Sequence, residues 1–446
     1  MTSPWVSDSN AALLTDLYEL TMMQSYFDQG MNDVAAFDLF IRRLPSHRNY
    51  LVACGLEHVL HYLESLVISD EAVEYLRTLK RFSDPFLENL RRFRFTGDVY
   101  AVPEGTAIFA NEPLIEVIAP LPQAQLIETF LMNQIQLATL AASKATRVVH
   151  AAEGRSVVDF GARRMHGADA GIKQPRAFYI AGVDSTSSVL AGHIWGIPVT
   201  GTMAHSYVLS FDSEIEAFRN FVRTYPASIL LVDTYDIQEG VENVIQLSTE
   251  LGTEFRVTGV RLDSGDLASH ARNVRRQLDA SGLQQVNIFV SSSLDEYEIH
   301  RLVSEGVPIN GFGVGRHLAA SSDVPVLDTA YKLVEYAGKP KMKLSESKST
   351  LPGRKQVFRE RAAGKAVGDV VGLIDEPMSG EPLMIKVMEN GGRLSGPEPL
   401  EVARARCRSE RAALPDPLLS LSKAHPGYPV ELSEGLKHLQ KTADRR

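Results

Sequence analysis

The stretch Val257-Thr258-Gly259-Val260-Arg261-Leu262-Asp263-Ser264-Gly265-Asp266-Leu267 decides how the rest of the chain is read. A β-branched run passes into a polar, glycine-containing turn, and an amphipathic helical pattern follows, which together make one βα unit. Working outward, strand-like cores recur at 157–160, 197–200, 229–232, 257–260, 286–290 and 309–312. Their starts lie about 23 to 40 residues apart, the spacing of successive βα units. Apolar strands alternating with helices predict a parallel sheet covered on its outer face. Six units in series predict a closed or nearly closed α/β barrel, with an open doubly wound sheet as the alternative.

The flanks carry other patterns. Short strands are predicted at 37–44, 98–101, 106–109 and 114–118, and helices at 52–66, 70–92 and 122–143. Strand-like runs return at 367–373 and 383–388, followed by the turn Asn390-Gly391-Gly392. The expected organisation is an N-terminal α/β segment over 1–140, a barrel over 141–340, and a C-terminal segment over 341–446 that packs back on the first. The last forty residues, charged and punctuated by proline, read as a surface tail.

Composition narrows the function. The 446 residues hold 46 Lys and Arg against 55 Asp and Glu, a net charge of −9. An acidic chain lacks the broad basic surface that nucleic acids or anionic membranes require. Cys54 and Cys407 stand far apart, so neither a disulfide framework nor a thiolate zinc site is expected. No run approaches the ~18 apolar residues that span a bilayer, and no basic leader precedes an apolar stretch. A cytoplasmic protein is the expectation.

In barrels the chemistry sits where the strands end. The six ends here are Asp159-Phe160-Gly161-Ala162-Arg163-Arg164, Gly201-Thr202-Met203-Ala204-His205-Ser206, Asp233-Thr234-Tyr235-Asp236, Arg261-Leu262-Asp263-Ser264-Gly265-Asp266, Ser291-Ser292-Ser293 and Gly313-Val314-Gly315-Arg316. Six polar turns in phase predict one shared site. Ser291, Ser292, Gly313 and Gly315 leave backbone N–H groups for a phosphate. Arg163, Arg164 and Arg261 offer forks for a carboxylate or phosphate. Asp263 and Asp266 suit sugar hydroxyls or Mg²⁺. The combination predicts a phosphorylated sugar, a metal and a carboxylated second ligand. Nine Lys or Arg against two Glu between 339 and 365 add a cluster that would close over a diphosphate.

Each feature has a plainer reading. His205 would be a core histidine, Asp263 and Asp266 helix N-caps, Phe160 a core ring, and the lysine cluster a solvated face. What favours the site is that the turns share one edge. The P-loop, the GxSxG elbow and a GxGxxG opening the first βα unit are all absent, which disfavours P-loop nucleotide binding, serine hydrolysis and a dinucleotide cofactor.

These residues match a known pattern. Leu14-Thr15-Asp16-Leu17-Tyr18-Glu19-Leu20-Thr21-Met22, DFGARR at 159–164, GVDSTSSVLAG at 182–192, GTMAHS at 201–206, LVDTYD at 231–236, GVRLDSGDL at 259–267 and YKLVEYAG at 331–338 occur in order. Over nearly its whole length the chain resembles the nicotinate phosphoribosyltransferase family. The resemblance implies an irregular, TIM-like α/β barrel of the type II phosphoribosyltransferase kind, with a smaller α/β domain built from both chain ends. The implied reaction joins nicotinate to phosphoribosyl pyrophosphate, with Mg²⁺ and with ATP as co-substrate, in a homodimer with shared sites. It further implies that Tyr18, from a partner subunit, and Phe160 stack on the pyridine. Arg261 and Thr202 would line the nicotinate site, Arg163 would lie near the same ring or the ribose phosphate, and Asp263 would take the ribose hydroxyls. Asp184 and Asp233 would lie at its centre, and His205 would be a phosphohistidine. Arg316 stands where many members carry Thr, so a guanidinium replaces a hydroxyl beside the phosphate. The alternatives are a nicotinamide enzyme of the same fold, a quinolinate enzyme and a non-catalytic binding protein.

Overall fold

The computed structural model describes residues 5–344 and 350–443. The chain forms two compact units, one of residues 1–140 and 326–446 and the other of 141–325.

The first unit is built on a seven-stranded antiparallel sheet. Its order is Lys339–Pro340, Thr329–Tyr336, Val34–Ile41, Pro113–Pro120, Asp98–Ala101, Ile385–Glu389 and Gly392–Arg393. Val34–Ile41 is buried at every position after the first, as its apolar run requires. Thr329–Tyr336, which sequence reasoning places with the barrel segment, pairs with Val34–Ile41 and so belongs here. Phe37 and Tyr331, diagonal neighbours across that pairing, stack at 4.9 Å. A second sheet of Glu381–Pro382, Lys355–Ala362, Lys365–Leu373 and Val430–Leu432 completes the unit.

Several flanking expectations change. The helical pattern at 70–92 is two helices, Asp70–Thr78 and Asp84–Leu90, because Ser83 caps a new start by accepting from Phe86 N–H. The C-terminal stretch is not a loose tail. Val430–Leu432 joins the second sheet, and the helix Glu434–Ala443 buries Leu436, an amphipathic pattern masked by its high charge. Within the basic cluster, charge is neutralised locally. Lys355 pairs with Asp38 at 2.9 Å, Arg354 with Glu116 at 2.9 Å, and Arg359 with Asp369 at 2.6 Å, while Arg361 bonds Glu381 and Glu410. A buried cation so compensated is a structural tie whose removal leaves an uncompensated charge, and these four do not form a diphosphate clamp. Lys348 lies outside the described residues.

The second unit is a six-stranded parallel sheet of β1 Ser156–Asp159, β2 Ser185–Thr186, β3 Ile229–Leu231, β4 Gly259–Leu262, β5 Asn287–Val290 and β6 Gly311–Val314. The spatial order is β2-β1-β6-β5-β4-β3, and each adjacent pair is parallel. The sheet curls into a half-barrel. Closure is incomplete among the described residues, since β2 and β3 are edges and the expected strand at 197–200 contributes only the bridge Val199–Thr186. Two residues of polar character hid β2 from a reading based on apolar runs. Strands β4 and β6 run two residues later than expected, at Gly259–Leu262 and Gly311–Val314. A shift of two keeps every side chain on its predicted face.

Candidate active site

Strand β1 ends in a fixed corner. The Asp159 carboxylate is fully buried and accepts from Gly161 N–H at 2.7 Å and Thr186 Oγ1 at 2.8 Å. It thereby ties the turn after β1 to the end of β2. Burial pushes its carboxyl up to about 6, partly offset by those two hydrogen bonds. Phe160 follows, held by its N–H on Val314 carbonyl at 2.9 Å. Its ring lies across Gly313, where any β-carbon would overlap it; this is why β6 needs glycine there.

The ring of Phe160 borders a cavity of about 140 Å³ inside the half-barrel, with Thr202, Arg261, Phe289, Gly313 and Ser156 also on its wall. An apolar cavity of about 150 Å³ takes a benzene ring, so this space suits one six-membered ring. The Arg261 guanidinium lies 5.8 Å from the Phe160 centroid and donates to Met203 carbonyl at 3.1 Å. Its Nε is buried without a hydrogen-bond partner among the described residues. Burial lowers the Arg261 pKa, opposed by Asp263 and Asp233. An unsatisfied buried cationic donor beside a ring-sized cavity has the chemistry to pair with a carboxylate.

Above it stands a cluster of acids around one imidazole. Asp233 Oδ2 accepts from Asp263 N–H at 2.8 Å and from Ser264 Oγ at 2.7 Å. Asp233 Oδ1 is buried and unpartnered among the described residues, 3.9 Å from His205 Nε2. Asp263 Oδ2 lies 3.8 Å from the same nitrogen, and Asp263 Oδ1 accepts from Ser291 Oγ at 2.6 Å. His205 Nδ1 is 3.2 Å from Thr234 Oγ1. His205, Asp233, Asp263 and Ser291, scattered over the sequence, therefore meet at one rim, with Phe160 and Arg261 lining the cavity of the same half-barrel.

Other expected residues sit differently. Arg163 and Arg316 are exposed in short turns after β1 and β6, and Gly315 precedes the Arg316 turn. Arg163 is close enough to Arg261 to disfavour its charge. Thr202 donates to Met203 carbonyl at 3.2 Å while lining the cavity. Asp184 is not in the acid cluster: its Oδ2 accepts from Ser156 Oγ and Val157 N–H, both at 3.0 Å, near the start of β1. It supports the cavity wall through Ser156 at one remove. Asp266 is an N-cap, its Oδ1 accepting from Ala268 and Ser269 N–H, which argues against the metal role expected of it. The helix after β5 starts at Glu296, not at Leu294, and Asp295 takes its first amides, so those are closed to a phosphate. Ser292 holds a backbone φ of 112°, a strained left-handed setting for a non-glycine residue. Tyr18 belongs to the first unit, opening the helix Leu17–Asp28 with 48% of its surface exposed. Burial and the adjacent Glu19 carboxylate raise its phenol.

Sequence reasoning assigned no role to Asp159, Thr234 or Phe289. The first two stand in polar turns that were quoted, which was their signal. Phe289 sits in an apolar strand and carried none. Among the described residues no group of three or more His, Cys, Asp or Glu is arranged to hold a metal by itself, and no helix is long and apolar enough to cross a membrane.

The mixed α/β chain with its curled, parallel half-barrel sheet is consistent with the type II phosphoribosyltransferase fold. Comparison with known proteins narrows the class. The nicotinate phosphoribosyltransferase (NAPRTase) N-terminal domain matches residues 13–136. The chain is 51% identical over 424 residues to the nicotinate phosphoribosyltransferase pncB2 of Mycobacterium tuberculosis H37Rv, covering 95% of this chain and 92% of that one. It is 39% identical over 382 residues to the nicotinate phosphoribosyltransferase of Bacillus subtilis, covering 83% and 78%. The crystal structure of human nicotinic acid phosphoribosyltransferase superposes with a TM-score of 0.87 at 30% identity, over 96% of this chain and 99% of the human one. The chain belongs to the nicotinate phosphoribosyltransferase family.

Proposed function

We propose that this enzyme joins the ring nitrogen of nicotinate to C1 of phosphoribosyl pyrophosphate, giving nicotinate mononucleotide and pyrophosphate, with ATP hydrolysed alongside to ADP and phosphate. The observation that carries the reading is Arg261, whose buried Nε lacks a partner beside a cavity the size of one aromatic ring. Nicotinate supplies both the ring and the anion. A nicotinamide substrate would bring no anion to that guanidinium, so the cavity favours the carboxylate over the amide.

The bond to the diphosphate at C1 breaks as the bond to the pyridine nitrogen forms, through a state with oxocarbenium character. Such a reaction is accelerated by holding the ring in line and by stabilising separated charge. Phe160 supplies one flat face. On the family pattern Tyr18 of a second copy supplies the other, and its exposure suits that role. Asp263 accepts ribose hydroxyls through its half-exposed carboxylate, while Asp233 holds the Asp263 backbone in place.

His205 is the proposed phosphoryl acceptor. In the tautomer that donates Nδ1–H to Thr234, Nε2 keeps its lone pair and faces the substrate rim. Two carboxylate oxygens near Nε2 would repel a phosphoryl group, and the same pair forms a hard-oxygen donor set suited to Mg²⁺. Asp233 Oδ1 and Asp263 Oδ2 would hold that ion, which when bound neutralises phosphate charge. The Ser291 N–H is given to the Leu262 carbonyl at 2.9 Å and so is not open to a phosphate; backbone groups at Ser292, Gly313 and Gly315, with Arg316, remain the proposed phosphate contacts. Cys54 and Cys407 are buried and form no disulfide, which fits a cytoplasmic setting.

The test is direct detection of nicotinate mononucleotide by mass from nicotinate and phosphoribosyl pyrophosphate, with and without ATP. Product formation that ATP stimulates is expected, and absence of product under both conditions would overturn the proposal.

A further inference from the structure

We infer that Phe289 is the specificity-determining wall of the pyridine pocket, restricting the enzyme to pyridine-3-carboxylates that carry only hydrogen at C4 and C5. The inference rests on reading the cavity as the nicotinate site.

On β5, side chains alternate. Ile288 and Val290 are fully buried, whereas Phe289 is only partly buried; Phe289 lines the cavity, and Val290 beside it also borders the space. Ser291, two residues on and on the same side, bonds Asp263 at the rim. Phe289 therefore lies one layer below the rim. In the sheet register it stands opposite Arg261 on β4 and Gly311 on β6. Its ring lies across Gly311, where a β-carbon would come within 2.6 Å of Phe289 Cδ1, and it leans toward Gly259, at 3.3 Å by the same measure. Two neighbouring strands thus give up their side chains to seat this ring. The layer above repeats the arrangement with Phe160 on Gly313.

Substrate orientation follows from where bonds form. The ring nitrogen must face the rim, where Asp233, Asp263 and His205 gather, so the opposite edge of the pyridine points inward. With the C3 carboxylate on Arg261, the neighbouring strand position brings Phe289 against the C4–C5 edge. An apolar ring packed on glycine backbone cannot retreat, so bulk at C5 collides with it.

The test compares the wild-type full chain with Phe289→Ala, Phe289→Leu and Gly311→Ala, each assayed with nicotinate and with 5-bromonicotinate. A pocket change of about one or two methyl groups alters discrimination by ~10- to 200-fold. Phe289→Ala should raise kcat/KM for 5-bromonicotinate relative to nicotinate at least ~10-fold, with Phe289→Leu between it and wild type. Gly311→Ala, which drives the ring into the cavity, should raise the nicotinate KM by ~10-fold or more. Should Phe289→Ala fail to fold, the Leu and Gly311 variants carry the test alone. An unchanged preference ratio in active Phe289 variants, or a wild-type nicotinate KM in Gly311→Ala, would overturn the inference while leaving the site reading intact. A wild-type chain inert toward nicotinate would overturn the site reading itself.

Discussion

The Asp233 carboxylate accepts the backbone N–H of Asp263 at 2.8 Å, so the acid proposed to meet the ribose is positioned by another acid thirty residues earlier. Both side chains also approach His205, which makes the three residues one unit. Residues coupled in this way lose function together.

Replacing Asp233 tests that coupling. Asp233→Ala leaves the Asp263 amide and the Ser264 hydroxyl without their acceptor, and for the part-buried amide the loss costs about 1–3 kcal/mol. The expected result is a fall in kcat/KM for phosphoribosyl pyrophosphate of ~100-fold or more, with Asp233→Asn between it and wild type. Steady-state kinetics check this; wild-type values in the Ala variant would remove Asp233 from the site.

Arg261→Ala should weaken nicotinate saturation. Truncating one partner of a desolvated charge pair costs about 2–5 kcal/mol, equivalent to a KM raised by ~30-fold or more. Arg261→Lys should recover only part, since an ammonium cannot reproduce the planar fork. Nicotinate titrations at saturating phosphoribosyl pyrophosphate decide the matter, and an unchanged KM would contradict the assignment.

Sequence alone carried much of this site. Phe160, His205, Asp233, Arg261, Asp263 and Ser291 were visible because polar or aromatic residues at strand ends fall in phase, and the barrel rim collects them. Asp184 and Asp266 looked equivalent in the sequence, yet each carboxylate is taken up by nearby backbone amides. Only coordinates distinguish a carboxylate aimed at a ligand from one that caps a helix or supports a strand. The lysine cluster was misleading for another reason. The acids that neutralise Lys355 and Arg354, Asp38 and Glu116, come from the far end of the chain and meet them through the first unit's sheets. Phe289 was invisible because an aromatic inside an apolar strand gives no polarity signal.

Asp159 predicts a pH effect on stability. Its folded-state carboxyl is raised to about 6 from an ordinary value of 3.8, mainly by burial. The folded chain therefore binds more protons between those values. This contribution to stability is full below the unfolded pKa and is lost as pH rises through about 6. A shift of about two units corresponds to about 3 kcal/mol. Thermal melts of wild type and Asp159→Asn from pH 4 to 8 should show wild type losing ground relative to the variant as pH rises. A Tm difference independent of pH would contradict this.

His205→Ala should abolish ATP coupling. The ratio of nicotinate mononucleotide formed with and without ATP is expected to fall to unity, and acid-labile labelling by γ-labelled ATP to disappear. Persistent stimulation or labelling in that variant would place the phosphoryl acceptor elsewhere.

The central claim is that a buried guanidinium in the half-barrel selects an anionic pyridine. Its most direct test is a competition in which the wild-type enzyme receives equal nicotinate and nicotinamide with phosphoribosyl pyrophosphate and ATP, and the two mononucleotides are resolved by mass. Nicotinate mononucleotide should dominate by at least ~30-fold, the factor that corresponds to about 2 kcal/mol of charge pairing. Equal yields, or an excess of nicotinamide mononucleotide, would contradict it.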